Sequence, residues 1–114
     1  MDVQRLFFSL NGRLNRKPYF FGNLALGVIS AIFKAIQDNS DGALISILTF
    51  VVAICVVVGS ISLIVKRLHD LDKNGLFVLI SLIPLVNALF GLYLLLAKGT
   101  DGPNRFGEDP LQAY

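Results

Sequence analysis

Charged residues divide the chain into apolar stretches that are long enough to cross a membrane. No Asp, Glu, Lys, Arg or His lies in 18–33, 42–65 or 74–97, which are 16, 24 and 24 residues long. A helix needs about 20 apolar residues to cross a hydrocarbon core of ~30 Å. The first stretch is interrupted by Lys34, but the long side chain of Lys34 can reach the membrane surface from a helix end. The helix can therefore continue to residue 36 and complete the span. The pattern predicts three membrane helices, at 19–36, 43–65 and 76–97.

The composition supports this prediction. Hydrophobic residues make up 54% of the 114 residues and charged residues 16%, against roughly a quarter charged in a soluble domain. A chain this short cannot bury so much apolar surface in its own core. In lipid the backbone groups must be paired within the segment, which favours helices. We therefore expect an all-α, multi-pass membrane protein with a single domain, 1–114. It comprises an interfacial cytoplasmic segment at 1–18, the three helices, and a polar tail at 98–114.

The third apolar stretch has two possible courses. Pro84 lies near its middle and removes a helix hydrogen bond, so the helix is kinked there or turns back. With a straight span, which we favour, Lys and Arg number seven on the amino-terminal side and three on the other. With a re-entrant turn at Pro84 the numbers are nine and one. In both cases the positive-inside rule places the amino terminus in the cytoplasm.

Two basic motifs, "GRLNRK" and "VKRLHD", are expected on this cytoplasmic side. The forked guanidinium of Arg suits two-point contact with phosphate, and Asp70 is spaced to orient His69 or Arg67. We therefore predict a cluster that binds anionic lipid headgroups or a partner membrane protein. Its members are Arg13, Arg16, Lys17, Arg67, His69 and Asp70. Asn104 and Arg105 mark a further polar motif in the tail.

Other classes of function have little support in the sequence. "DLDKNG" matches the opening of a calcium loop, but the twelfth position is Ser81 instead of a bidentate Glu. There is one His, and Cys55 lies in the middle of a span, so we expect neither a metal nor a cofactor. A net charge of +2 is too small to indicate a nucleic-acid partner. No nucleophile elbow or phosphate loop occurs, and we do not expect an enzyme.

Two alternatives to the binding module remain open. The first is an oligomeric transport or channel component, with Asn87 and Ser81 lining a path between copies. Gly27 and Ala31 lie one helical turn apart and would allow the close helix contact that a homo-oligomer needs. The second is an enzyme acting on lipid headgroups, with His69 and Asp70 as its acid and base.

Three polar signatures occur in a fixed order: "GRLNRKPYF", "VKRLHDLDKNG" and "KGTDGPNRFGEDP". Over nearly its whole length the chain resembles the domain-of-unknown-function 805 family of small bacterial inner-membrane proteins. The departures from the family pattern are at Pro18, Leu76, Phe77 and Asn87. The resemblance implies a location in the bacterial inner membrane, and it implies no biochemical activity.

Overall fold

Helices form most of the chain in the computed structural model, which describes residues 6–107. Helix α1 spans Arg16–Asp38, α2 spans Ala43–Asp70, a 3-10 segment spans Gly75–Leu82, and α3 spans Val86–Leu96. Within the described residues the only β pairing is an isolated bridge between Asn104 and Gly107. The all-α prediction is confirmed for this part of the chain.

Helices α1 and α2 form an antiparallel pair that packs through glycines. A Cβ atom on Gly22 of α1 would lie 3.0 Å from the Leu63 side chain of α2. One turn further, a Cβ on Gly59 of α2 would lie 3.4 Å from the Leu26 side chain of α1. Each helix therefore offers a glycine to a leucine of the other, which brings the two backbones close together.

The apolar faces of both long helices point outward. In their most apolar 18-residue windows, 17% of α1 and 6% of α2 is buried. The core helix of a soluble protein would be mostly buried instead. Both helices exceed the length needed to cross a bilayer. The outward apolar surface of both therefore fits lipid contact.

The stretch 76–97 is not the straight helix that we favoured from the sequence, and a third span is not confirmed. It consists of the 3-10 segment and the 11-residue α3, separated by 83–85. Pro84 has no N–H, and the residue before it, Ile83, is extended at φ −89° and ψ 115°. Leu85 has φ 69° and ψ −48°, and the Pro84 carbonyl accepts a hydrogen bond from the Val86 N–H at 2.8 Å. This is a γ-turn, and it reverses the chain as in our alternative course.

The two arms of this hairpin both meet the carboxyl end of α2. Gly75, at the start of the 3-10 segment, lies beside Val65 and His69 of α2. The end of α3 is hydrogen-bonded to Arg67 of α2. The chain therefore leaves the end of α2, turns at Leu85 and returns to the place from which it left.

Helix α2 continues past the predicted span end at residue 65 and stops at a Schellman motif. The Lys73 N–H donates to the Leu68 carbonyl at 2.8 Å, and the Asp72 N–H donates to the His69 carbonyl at 3.0 Å. Asp72 adopts the left-handed conformation, with φ 58°, that this motif requires. At 1.5 Å per residue α2 is about 42 Å long, so its last turns extend beyond a hydrocarbon core of ~30 Å.

Candidate functional site

Three polar segments that are far apart in the sequence meet at the end of α2. We name this assembly of 12–15, 66–72 and 98–107 the polar cap. Its backbone is joined by the Leu14 N–H, which donates to the Lys66 carbonyl at 3.1 Å, and by the Thr100 N–H, which donates to the Asp70 carbonyl at 2.7 Å. The Asn104 side chain donates to the His69 carbonyl at 2.9 Å. All three polar signatures of the sequence therefore contribute to one structure.

A buried ionic network of Arg13, Arg67 and Asp70 lies at the centre of the cap. Asp70 Oδ1 accepts from Arg13 Nε at 3.1 Å, and Asp70 Oδ2 accepts from Arg67 Nη1 at 2.5 Å. The side chain of Arg13 is 1% exposed, that of Arg67 is 0% exposed and that of Asp70 is 5% exposed. Two cations share one carboxylate, so the remaining N–H donors must be satisfied by backbone carbonyls.

Arg67 uses those donors to hold the end of α3. Its Nε donates to the Leu94 carbonyl at 2.6 Å, and its Nη2 donates to the Ala97 carbonyl. Arg16 donates to the Leu96 carbonyl at 3.2 Å. The last carbonyls of a helix lack partners within the helix and carry partial negative charge. Two arginines therefore cap α3 and fix the returning arm of the hairpin.

Arg13 holds the tail loop in the same manner. Its Nη2 donates to the Thr100 carbonyl at 2.6 Å, and its Nη1 donates to the carbonyls of Gly102 at 2.7 Å and Gly107 at 3.3 Å. Within the described part of the chain, every fully buried side-chain nitrogen and oxygen has a hydrogen-bond partner. The network is therefore complete, and its guanidinium groups are not available to an external phosphate.

Gly99 is required where the tail crosses Asp70. A Cβ atom at this position would overlap Asp70 Oδ2 and would lie 2.6 Å from its Cγ. No side chain larger than hydrogen fits unless the carboxylate or the tail moves. Gly99 stands in the third polar signature, but the sequence does not reveal this role, because the contact joins residues distant along the chain.

His69 lies at the edge of the cap, in the part of α2 past the predicted span 43–65. Its Nδ1 is 2.9 Å from the Gly12 carbonyl, which only accepts, so Nδ1 carries the proton. The ring stacks on Phe106 with centroids 4.0 Å apart, and Arg105 lies 4.7 Å above the same phenyl ring. Burial lowers the pKa of His69, partly opposed by the hydrogen bond to Gly12. The imidazole is therefore neutral at pH 7 and serves as a packing surface for the tail.

An open cavity of about 250 Å³ lies beside the network, between the start of α1 and the start of the tail. Arg16 and Lys17 line it from α1, and Lys98 and Thr100 line it from the tail. Arg16, Lys17 and Lys98 are exposed. Lys98 pairs with the exposed Asp101 at 3.3 Å, a contact that is readily exchanged in water. Asp70 and Asp101 also line the cavity, so three cations face two carboxylates, and Asp70 is already paired with Arg13 and Arg67. The accessible rim therefore has an excess of positive charge.

The structure divides the predicted site residues into two groups. The buried or inward-facing group holds the cap together: Arg13, Arg67, His69, Asp70 and Asn104. The exposed group consists of Arg16 and Lys17 at the cavity and Arg105, which pairs with Asp72 at 3.2 Å. Sequence reasoning missed Lys98 and Thr100 at the cavity, and also Lys66, whose Nζ donates to the Leu6 carbonyl at 2.6 Å.

The partners of Asp70, Asp72 and His69 can be compared with those expected in a calcium site or in an enzyme. Asp70 binds two guanidinium groups and Asp72 binds Arg105, so both carboxylates of the calcium-like motif have cationic partners. No group of three His, Cys, Asp or Glu residues suited to a metal ion occurs within 6–107. His69 is hydrogen-bonded to the Gly12 carbonyl, whereas Asp70 binds Arg13 and Arg67.

A family model described as "Protein of unknown function (DUF805)" matches residues 7–108, which is most of the chain. The chain belongs to the DUF805 family. Inner membrane protein YhaI of Escherichia coli K12 is 29% identical over 110 residues, covering 96% of this chain and 92% of YhaI. Inner membrane protein YhaH of the same organism is 29% identical over 117 residues, with coverage of 96% and 93%. No solved structure shows significant similarity to the chain.

These DUF805 relatives establish the surroundings of the apolar helices. Both are named inner membrane proteins and are aligned over almost their full length. The two long helices present apolar faces outward, as lipid-facing helices do. The protein is therefore an integral protein of the bacterial inner membrane.

Proposed function

We propose that this protein is a non-enzymatic membrane module that binds the anionic headgroups of lipids at the cavity beside its polar cap. The observation that carries the proposal is the open cavity of about 250 Å³ with Arg16, Lys17 and Lys98 on its rim. Each cation near an anionic surface contributes about 1 kcal/mol to binding. Arg13 and Arg67 are buried and do not contact the headgroup. Their role is to fix the segments that carry the exposed cations.

The orientation of the chain in the membrane is part of the proposal. Helices α1 and α2 cross the bilayer, and the hairpin of the 3-10 segment and α3 re-enters from the cap side. The 8 residues of the 3-10 segment and the 11 residues of α3 each reach about 16 Å, so their turn lies near the middle of a ~30 Å core. Of the Lys and Arg residues within 6–107, eight then lie on the cap side and one on the other, which favours a cytoplasmic cap and amino terminus.

The test uses two lysines at the cavity and one at the opposite end of the molecule. In the variant Lys17→Gln with Lys98→Gln, the preference for phosphatidylglycerol over phosphatidylcholine should fall about tenfold or more, because two cations are lost. Native mass spectrometry of the detergent-purified protein, titrated with each lipid, measures this preference. Neither lysine belongs to the buried network, so the cap should stay folded.

Lys34→Gln is the matched control. Lys34 pairs with Asp38 at 3.2 Å and is 77% exposed, much like Lys98, which pairs with Asp101 and is 66% exposed. The control should keep the preference for anionic lipid. An unchanged preference in the double variant, or an equal loss in the control, would contradict the proposal.

Association between copies is a second candidate role, supported by one observation. Asn87 is exposed on α3 among apolar residues, and an amide in lipid is stabilised when it finds a partner on another helix. If copies associate through Asn87, then Asn87→Leu should convert oligomers to monomers while the adjacent exposed Ala88→Leu should not. Single-molecule photobleaching in bilayers reads the copy number, and a monomeric unmodified protein would exclude this role.

A further inference from the structure

An apolar groove lies directly below the headgroup cavity, between α1 and α3. It has a volume of about 350 Å³, is open to the outside, and is lined by Tyr19, Phe20, Asn23, Leu24, Gly91 and Leu95. Gly91 borders open space, since a Cβ atom there would meet nothing within 4 Å. The groove is separate from the contacts that hold α1 to α2.

The residues that line the groove follow those that line the cavity along both elements. On α1 the cavity ends at Lys17 and the groove begins at Tyr19, and on the other side the groove ends at Leu95 and the cavity begins at Lys98. The two spaces are therefore stacked, with the charged one at the membrane surface and the apolar one beneath it. Asn23 lies within the groove, one turn beyond Tyr19 and Phe20, and one N–H of its amide donates to the Tyr19 carbonyl at 2.8 Å.

We propose that the two spaces together bind one phospholipid molecule, with its phosphate at the cavity rim and one acyl chain in the groove over Gly91. The inference rests on the proposed function, because it assigns the same cations to the phosphate. The order of exposed cations followed by an apolar groove matches the order of phosphate and acyl chain in a phospholipid. A soluble phosphate would leave the groove empty, and an apolar helix of another protein would offer no anion to Arg16 and Lys17.

The experiment fills the groove without changing its charge. We expect Gly91→Phe to lower the occupancy of retained phosphatidylglycerol about tenfold, equivalent to about 1.4 kcal/mol. The full-length protein is purified in mild detergent and retained lipid is counted by native mass spectrometry. Gly27→Phe is the matched control, because a Cβ atom at Gly27 would also meet nothing within 4 Å and Gly27 does not line the groove. The control should retain lipid as the unmodified protein does.

Two further arms separate this inference from the proposed function. Glycerol 3-phosphate, which has the phosphate and no acyl chain, should not bind measurably at concentrations that saturate with phosphatidylglycerol. A phosphatidylglycerol carrying a diazirine on its acyl chain should label the unmodified protein at Leu24, Gly91 or Leu95 on illumination, which needs no variant to fold.

The outcomes distinguish the two proposals. If Gly91→Phe and Gly27→Phe retain equal lipid, or if the diazirine labels only the outer face of α2, the groove does not hold the chain. The headgroup proposal would survive that result provided that Lys17 and Lys98 still set the anionic preference. If those lysines have no effect while the groove is labelled, a lipid binds there without recognition of its charge, and both the headgroup proposal and this inference fail.

Discussion

At the scale of single residues, Asp70 is the side chain on which the cap depends. It is the only carboxylate bound to Arg13 and Arg67 within the described chain, and both of its oxygens are used. The last two turns of α2 also supply Arg67 and the Asp70 carbonyl that accepts from Thr100. Arg67 is aligned with Asp70 because the two residues are three positions apart on the same helix. Arg13 comes instead from the amino-terminal segment.

Replacing Asp70 tests this dependence. Asp70→Asn leaves two buried guanidinium groups without a compensating charge, and breaking a buried pair in this manner costs about 3–5 kcal/mol. Amide hydrogen exchange in detergent should show more than about a hundredfold faster exchange of the cap amides of Leu14 and Thr100. Asp72→Asn is the control, because the Asp72 pair with Arg105 is exposed and contributes about 0–1 kcal/mol. Equal exchange in the two variants would show that the ionic network does not hold the cap.

Gly99 gives a steric prediction at the same scale. In Gly99→Ala the new methyl group would overlap Asp70 Oδ2, so the tail must separate from the carboxylate and exchange at Thr100 should increase. Gly27→Ala adds a methyl group in open space on α1 and should leave the cap unchanged while favouring the helix by up to about 1 kcal/mol. A cap that tolerates alanine at 99 would show that the approach of the tail to Asp70 is looser than the structure has it.

At the scale of elements, the γ-turn at Leu85 determines that the third apolar stretch is a hairpin. A non-glycine residue with positive φ is strained by about 1–3 kcal/mol, and the Leu85 side chain is 87% exposed, so it gains little from packing. The strain is offset at the far ends of the hairpin, where Arg67 and Arg16 bind the carbonyls of α3. The turn and the cap are therefore coupled through α3.

A pair of glycine substitutions tests the turn. Leu85→Gly should be neutral or stabilising by about 1 kcal/mol, because glycine adopts positive φ without strain. Leu89→Gly should destabilise by about 1 kcal/mol, because Leu89 lies inside α3 with its side chain 70% exposed. Thermal unfolding in detergent, followed by circular dichroism, compares the two. If both variants lose the same stability, residue 85 is in a continuous helix.

At the scale of the whole molecule, the sequence predicts the helical membrane class well because runs of uncharged residues are a local property. The long spans and the family resemblance follow from such runs and from short motifs. The hairpin is harder to predict, since Pro84 permits either a kink or a turn and the deciding contacts of Arg67 with Leu94 and Ala97 join residues 27 and 30 positions apart. The burial of Arg13 and Arg67 is hard to predict for the same reason, because it depends on contacts between segments that are far apart in the sequence. The basic motifs predict instead that both arginines lie at the surface.

The orientation of the cap gives the last prediction. In a Cys55→Ser background, single cysteines replace Asp41 in the loop between α1 and α2, Leu85 at the turn, and Asp101 in the cap. With two crossings and a re-entrant hairpin, a membrane-impermeant thiol reagent should label position 41 in spheroplasts and position 101 only in inverted vesicles. Position 85 should resist labelling from either side, because both arms of the hairpin place it near mid-bilayer.

A straight third span gives the opposite result at one position. It would place Asp101 on the same side as Asp41, so both cysteines would be labelled in spheroplasts. That arrangement cannot coexist with the hydrogen bonds from Arg13 to the carbonyls of Thr100 and Gly102, because Arg13 precedes the first crossing and Asp101 would follow the third. Labelling at 101 therefore tests the cap as well as the topology: an external position 101 requires the polar cap to be absent in the membrane.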